Sequence, residues 1–177
     1  MSKEVTKALS YAQSILGTHY TWWTGTSKDR EDIFYFDGPP TETELNKYGV
    51  NCAGLICLMR YAADSKKIHS TEKYRGGVGY WYQHFTLKNV LLPFDDEFDY
   101  PLGTLFLRKY RDVNDQGHVA VYLEKPTYRP ANKPLYGKII HAYSDDGVGI
   151  SYLGRSHFWD GGGKGYYEYA ILPENWL

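Results

Sequence analysis

The sequence predicts an α+β fold, with helices packed on an antiparallel sheet of about five to six strands. Three observations predict it. Helix-period apolar patterning is confined to the first half of the chain, β-branched and aromatic runs dominate beyond Pro101, and the two kinds of element do not alternate. The chain has 177 residues and no internal repeat, linker or low-complexity stretch, so a single domain over residues 1–177 is expected.

Val5, Ala8, Leu9, Ala12, Ile15 and Leu16 recur at helical spacing. They predict an amphipathic helix over about residues 3–16, with Ser2 as its N-cap and Gly17 as its stop. The next stretch is rich in turn formers, including Thr24-Gly25 and Asp37-Gly38-Pro39-Pro40. It predicts a long ordered loop with one helical turn near residues 43–47. Its aromatic run Phe34-Tyr35-Phe36 suits either one wall of a groove or a packed surface loop. Residues 51–63 are apolar nearly all round, the mark of a buried helix, and Asn51 stands where its N-cap belongs. Gly76-Gly77-Val78-Gly79 is expected to break the chain before a short helix over Tyr80–Phe85. Strands are expected at residues 104–110, 118–124, 138–143, 148–153 and 166–172, separated by Gly, Pro, Asn and Asp.

Composition excludes several function classes. Twenty Lys and Arg balance 21 Asp and Glu, so there is no basic footprint for nucleic acid. No stretch approaches the ~20 apolar residues of a membrane span. The N-terminus is charged and lacks a continuous apolar core, so no signal peptide is expected and the default compartment is cytoplasmic. Two cysteines, Cys52 and Cys57, are too few for a disulfide framework and do not form a CxxC pair. No cofactor motif stands out: Asp160-Gly161-Gly162-Gly163-Lys164-Gly165 lacks the order of a phosphate loop and reads as a hairpin turn. The unusual figure is an aromatic content of 17%, which suits aromatic strands or a ligand groove.

Cys52 falls in the first turn of the buried helix. The unpaired N–H groups there favour a thiolate and can stabilise an oxyanion beside it. A free Cys is also, on its own, an ordinary small core residue. Cys57 lies about 140° farther round the helix, so it is assigned to packing. His118 heads one apolar strand and His141 sits inside another. Burying either without a partner is costly. If the strands are neighbours, both rings can meet near Cys52, one taking the thiol proton and the other orienting it. Two hydrogen-bonded core histidines are the plainer reading. His19, His69, His84 and His157 lie in polar, turn-like settings and read as surface residues.

At these residues the sequence resembles the NlpC/P60 family of papain-like cysteine peptidases, known as bacterial cell-wall hydrolases. Asn51-Cys52-Ala53-Gly54-Leu55-Ile56 resembles the family's nucleophile motif, and His118-Val119-Ala120-Val121-Tyr122-Leu123 its histidine strand. Ile140-His141-Ala142 followed by Gly147-Val148 resembles its second histidine strand. Gly17-Thr18-His19-Tyr20-Thr21-Trp22 and Leu102-Gly103-Thr104-Leu105-Phe106 are similar to further family segments. The pieces stand in the family's order over about residues 3–153.

The resemblance implies a papain-like fold with an insertion at about residues 24–50, and a cysteine hydrolase that needs no cofactor. It implies Cys52 as nucleophile, His118 as general base and acid, and His141 as the polar third member. Tyr20, Asn51 and Trp22 would line the oxyanion and substrate side. The implied substrate is a peptidoglycan-type γ-D-glutamyl–diamino-acid peptide. Asn51 and Ala53 stand where the family usually has Asp and Ser, and no wall-binding module is attached. Two alternatives therefore stand beside it: an intracellular amidase, isopeptidase or acyl hydrolase, and an inactive fold kept for binding. A leaderless protein would still reach a wall after lysis or when packaged in a virus.

Overall fold

The computed structural model describes residues 1–21, 40–64, 77–95, 97–112, 115–126, 137–143, 146–153 and 166–177. The aromatic loop at 34–36, the glycine run at 161–163, His69, His157, Trp22 and Trp23 lie outside them. The described residues form an α+β arrangement of four α-helices and a six-stranded sheet. The helices are α1 (Lys3–Ser14), α2 (Glu42–Tyr48), α3 (Cys52–Ala63) and α4 (Val78–Leu87). The strands are β1 (Leu92–Pro93), β2 (Leu105–Arg108), β3 (His118–Glu124), β4 (Lys138–Tyr143), β5 (Gly147–Tyr152) and β6 (Tyr169–Ile171). Their order is β1-β6-β2-β3-β4-β5, with every pairing antiparallel.

Local chemistry accounts for the helix starts. The Ser2 hydroxyl accepts the Val5 N–H, and Thr41 with Glu44 forms a reciprocal capping box ahead of α2. The expected single turn near 43–47 is thus a seven-residue helix. The fourth helix is longer than expected because Gly77 can serve as its N-cap and Val78 joins its buried face. Strands β3 and β4 match their expected bounds, whereas β2 and β6 are shorter than their apolar runs. A 3₁₀ turn at Pro173–Asn175 follows β6, and the Trp176 indole pins the C-terminus by donating to the Gly103 carbonyl at 2.8 Å.

Alternation along the strands divides the core between the two faces of the sheet. Val119, Val121, Ile140, Ala142, Leu105 and Leu107 pack with residues of α1, α3 and α4. The opposite face carries Phe106, Ala120, Tyr122, Ile139 and Tyr167. There the rings interlock, Tyr100 on Phe106 at 5.2 Å, Phe94 on Phe106 at 5.3 Å and Phe106 on Tyr122 at 5.6 Å. Edge-to-face pairs of this kind add about 0.5–1.5 kcal/mol each beyond the area they bury. Tyr100, Phe106, Tyr122 and Tyr167, with Phe94 and Tyr166 packed against them, thus build this second core layer.

Candidate active site

Three backbone devices bring the site residues to one end of the sheet. Asn51 caps α3, its Oδ1 accepting the Gly54 N–H at 2.8 Å, which fixes Cys52 in the first helical turn. Tyr20 forms a parallel bridge with Val50, two residues before Cys52, and the Val50 N–H donates to the His19 carbonyl at 3.0 Å. The same segment is laced to β5: Gly17 N–H donates to Val148 O at 2.9 Å, and Val148 N–H to Thr18 O at 2.8 Å. Gly49 has φ +68°, and a Cβ there would run into Thr21 and His19, so this close crossing requires glycine.

The third device sets His118. Gly117 has φ +75°, and a Cβ on it would lie 2.5 Å from the Arg108 carbonyl oxygen. The chain therefore enters β3 opposite Arg108 through a glycine. Gly117→Ala is expected to lower stability by about 1–3 kcal/mol through strain and clash. Chemical denaturation checks this; an unchanged midpoint would contradict it.

β3 and β4 are neighbours, as the meeting of the two histidines requires. Continuing the register Val121↔Ile140 sets Ala120 opposite His141, so His118 is its diagonal neighbour on the same face. His118 Nε2 lies 2.8 Å from His141 Nδ1, and His141 Nε2 lies 2.9 Å from Ser151 Oγ on β5. All three site residues are buried, with exposures of 7% for Cys52, 6% for His118 and 3% for His141. Ser151 is not among the residues that the sequence singles out. The alternation of β5 puts Gly147, Gly149 and Ser151 on one face, and Gly149 pairs with His141, so that pattern is its available signal.

The sulfur sits against the start of β3, where two strands part. The β3–β4 pairing runs from Val121↔Ile140 to Glu124↔Lys138 and stops short of His118. Tyr122 N–H donates to Thr104 on the β2 side at 2.8 Å, so alternation sends the Val119 N–H toward β4. That N–H donates to the Cys52 sulfur, as do the N–H groups of Cys52 and Ala53 and the Tyr20 hydroxyl. Burial raises the pKa of Tyr166 and Tyr167, a thiolate at Cys52 would raise both further, and their rings lie 6.0 and 6.4 Å from that of His118. Arg108 holds Tyr166 from behind, stacked 4.3 Å over its ring and donating to its hydroxyl at 3.1 Å, while also pairing with Asp115.

The electrostatics depart from the simplest expectation for a thiol at a helix N-terminus. Burial raises the Cys52 pKa, outweighing the four donors that favour its thiolate. Burial, reinforced by His141 and Arg108, pulls His118 well below the usual histidine value. At neutral pH the Cys52 thiol and the His118 imidazole are therefore both uncharged. Burial also pushes the Tyr20 phenol up, which keeps it protonated as a donor. The same cause takes Cys57 up to about 12, with the Arg60 charge opposing, and neither cysteine is in a disulfide.

His141 falls to about 4, chiefly by burial, with Asp146 opposing. Between about pH 6.5 and 4 the unfolded chain binds a proton at this position that the folded chain refuses, so stability is full above that window and falls as pH drops through it. The loss from His141 is expected to reach about 3 kcal/mol, and His118 adds in the same direction. Urea midpoints measured from pH 7 to pH 4 check this; a flat profile would contradict it.

Asn51 acts through the helix cap, its carbonyl oxygen turned to Gly54. His19 is exposed, whereas His84 is half-buried among Tyr80, Trp81 and Phe85 on α4. Among the described residues, no group of three or more His, Cys, Asp or Glu side chains is arranged to hold a metal ion. Nor does any helix there have the length and apolarity to cross a membrane. No protein-family model matches this chain, and no curated protein matches it either.

Proposed function

We propose that the chain is a papain-like thiol hydrolase of the NlpC/P60 type. It cleaves an amide bond by way of Cys52, His118 and His141. The observation that carries this reading is the convergence at one sheet end: a helix-capped sulfur held by the N–H of Val119, the residue that follows His118, whose own Nε2 is bonded to His141. With Nε2 so engaged, Nδ1 is the nitrogen His118 has for the thiol proton. A neutral base serves this step, because the thiol it faces is neutral too. His118 takes the proton as sulfur attacks the acyl carbonyl, then gives it to the leaving amine. Water clears the thioester with His118 again as base. The N–H groups that hold the sulfur, with Tyr20, are the candidate donors to the oxyanion.

The substrate this chemistry best suits is a peptide of the γ-D-glutamyl–diamino-acid kind, reached through the resemblance in the motifs. A non-wall acyl amide or ester is the second reading. It is favoured by Asn51 being spent on the helix cap and by the buried Ala53 beside the nucleophile, since neither supplies a charge to a substrate amine. Incubation with purified muropeptides and with a panel of acyl amides, isopeptides and esters separates the two. Release of a free diamino-acid fragment supports the first, and turnover confined to the panel supports the second. Turnover of neither would sink both and leave a binding role for the same fold.

A further inference from the structure

We propose that Ser151 is a positioning residue of this site, the acceptor that holds His141 in the one tautomer able to serve His118. This deepens the hydrolase reading and rests on it. Proton counting along the chain of contacts selects that tautomer. When His118 has taken the thiol proton, both its ring nitrogens carry hydrogen, so its Nε2–H must donate to His141 Nδ1, 2.8 Å away. His141 Nδ1 must then be a bare lone pair. A neutral imidazole with a bare Nδ1 carries its proton on Nε2, and that N–H sits 2.9 Å from Ser151 Oγ. The reverse tautomer would set two N–H groups against each other at the moment the imidazolium forms. A ring as buried as His141 makes that conflict costly.

The fold supports the role. Ser151 and Gly149 share a face of β5, and Gly149 is the partner of His141 in the ladder. A Cβ at Gly149 would meet nothing within 4 Å, so no side chain crowds the ring from its direct partner position. The hydrogen bonds at the two ring nitrogens then bear directly on which tautomer the ring holds. A hydroxyl both donates and accepts, so Ser151 can turn its own hydrogen elsewhere and still receive the histidine N–H.

The test uses the full chain with Ser151→Thr and Ser151→Val, side chains of nearly one shape and equal strand preference that differ in the hydroxyl. Nitrogen NMR of histidine-labelled protein reads the tautomer directly, and the rate of Cys52 alkylation reads the base without needing a substrate. The expected result is wild-type His141 signals, protonated at Nε2, in the Thr variant. In the Val variant those signals shift toward mixed tautomers, and alkylation slows about tenfold. Identical His141 signals in the two variants would overturn the proposal, as would a wild-type spectrum protonated at Nδ1. Neither result depends on turnover. Loss of the hydrolase reading in the substrate panel would leave the NMR outcome standing as a separate test of Ser151.

Discussion

Cys52→Ala is expected to reduce turnover of any acyl substrate the protein accepts by about 10⁴-fold or more, because the proposed mechanism runs through a thioester on that sulfur. Its stability should change little, by about 1 kcal/mol, since one buried sulfur is exchanged for a smaller apolar group. The pairing of these outcomes matters. Cys52 packs in the helix-side core, so a large loss of stability alone would describe a packing residue. A large loss of turnover with an intact urea transition describes a nucleophile. Cys57→Ala provides the internal comparison: it lies on the same helix and is equally buried, but on another face. Turnover within a few-fold of wild type is expected for it.

The second large effect is expected at His118. His118→Gln keeps a polar side chain at this position but cannot carry the proton, and turnover should fall by about 10³-fold or more. The pH dependence follows from the direction of its shift. Burial, His141 and Arg108 hold its pKa well below the ordinary histidine value, so the ring stays neutral below pH 6.5, the state the proposed base requires. Activity should therefore persist into mildly acidic solution and be lost only on further acidification. Arg108→Gln removes one of the charges opposing the imidazolium, and the acid limb is then expected to move to higher pH. Turnover across pH 4–8 for wild type and both variants checks the point; an acid limb near 6.5 in wild type would contradict it.

The strands bearing the histidines are legible in the sequence because each is a run of β-branched and apolar residues with a costly polar group in it, and burial without a partner is what a sequence cannot hide. Asn51 is legible as a cap because the residue types that accept from a first-turn N–H are few. Other parts are not. The Val119 N–H that donates to the sulfur is a backbone group, present at every non-proline position, and it points the right way only because β3 and β4 part there. Ser151 is an ordinary strand residue until Gly149 is known to face His141. The direction of the Cys52 shift is also beyond sequence: the helix N-terminus favours the thiolate, but the depth of burial decides the sign. β1 is two residues long and includes Pro93, so no alternation could reveal it.

On the proposed mechanism, Cys52 is a nucleophile activated by His118. That role is tested most directly by mapping the adduct of a peptide vinyl sulfone, a neutral electrophile that needs an activated thiol. The protein is incubated with the probe at neutral pH, digested and sequenced by mass spectrometry. The prediction is modification of Cys52 in wild type, at least tenfold slower modification in His118→Gln, and none at Cys57 over the same interval. Equal labelling of Cys52 and Cys57, or labelling of Cys52 unaffected by His118→Gln, would contradict it.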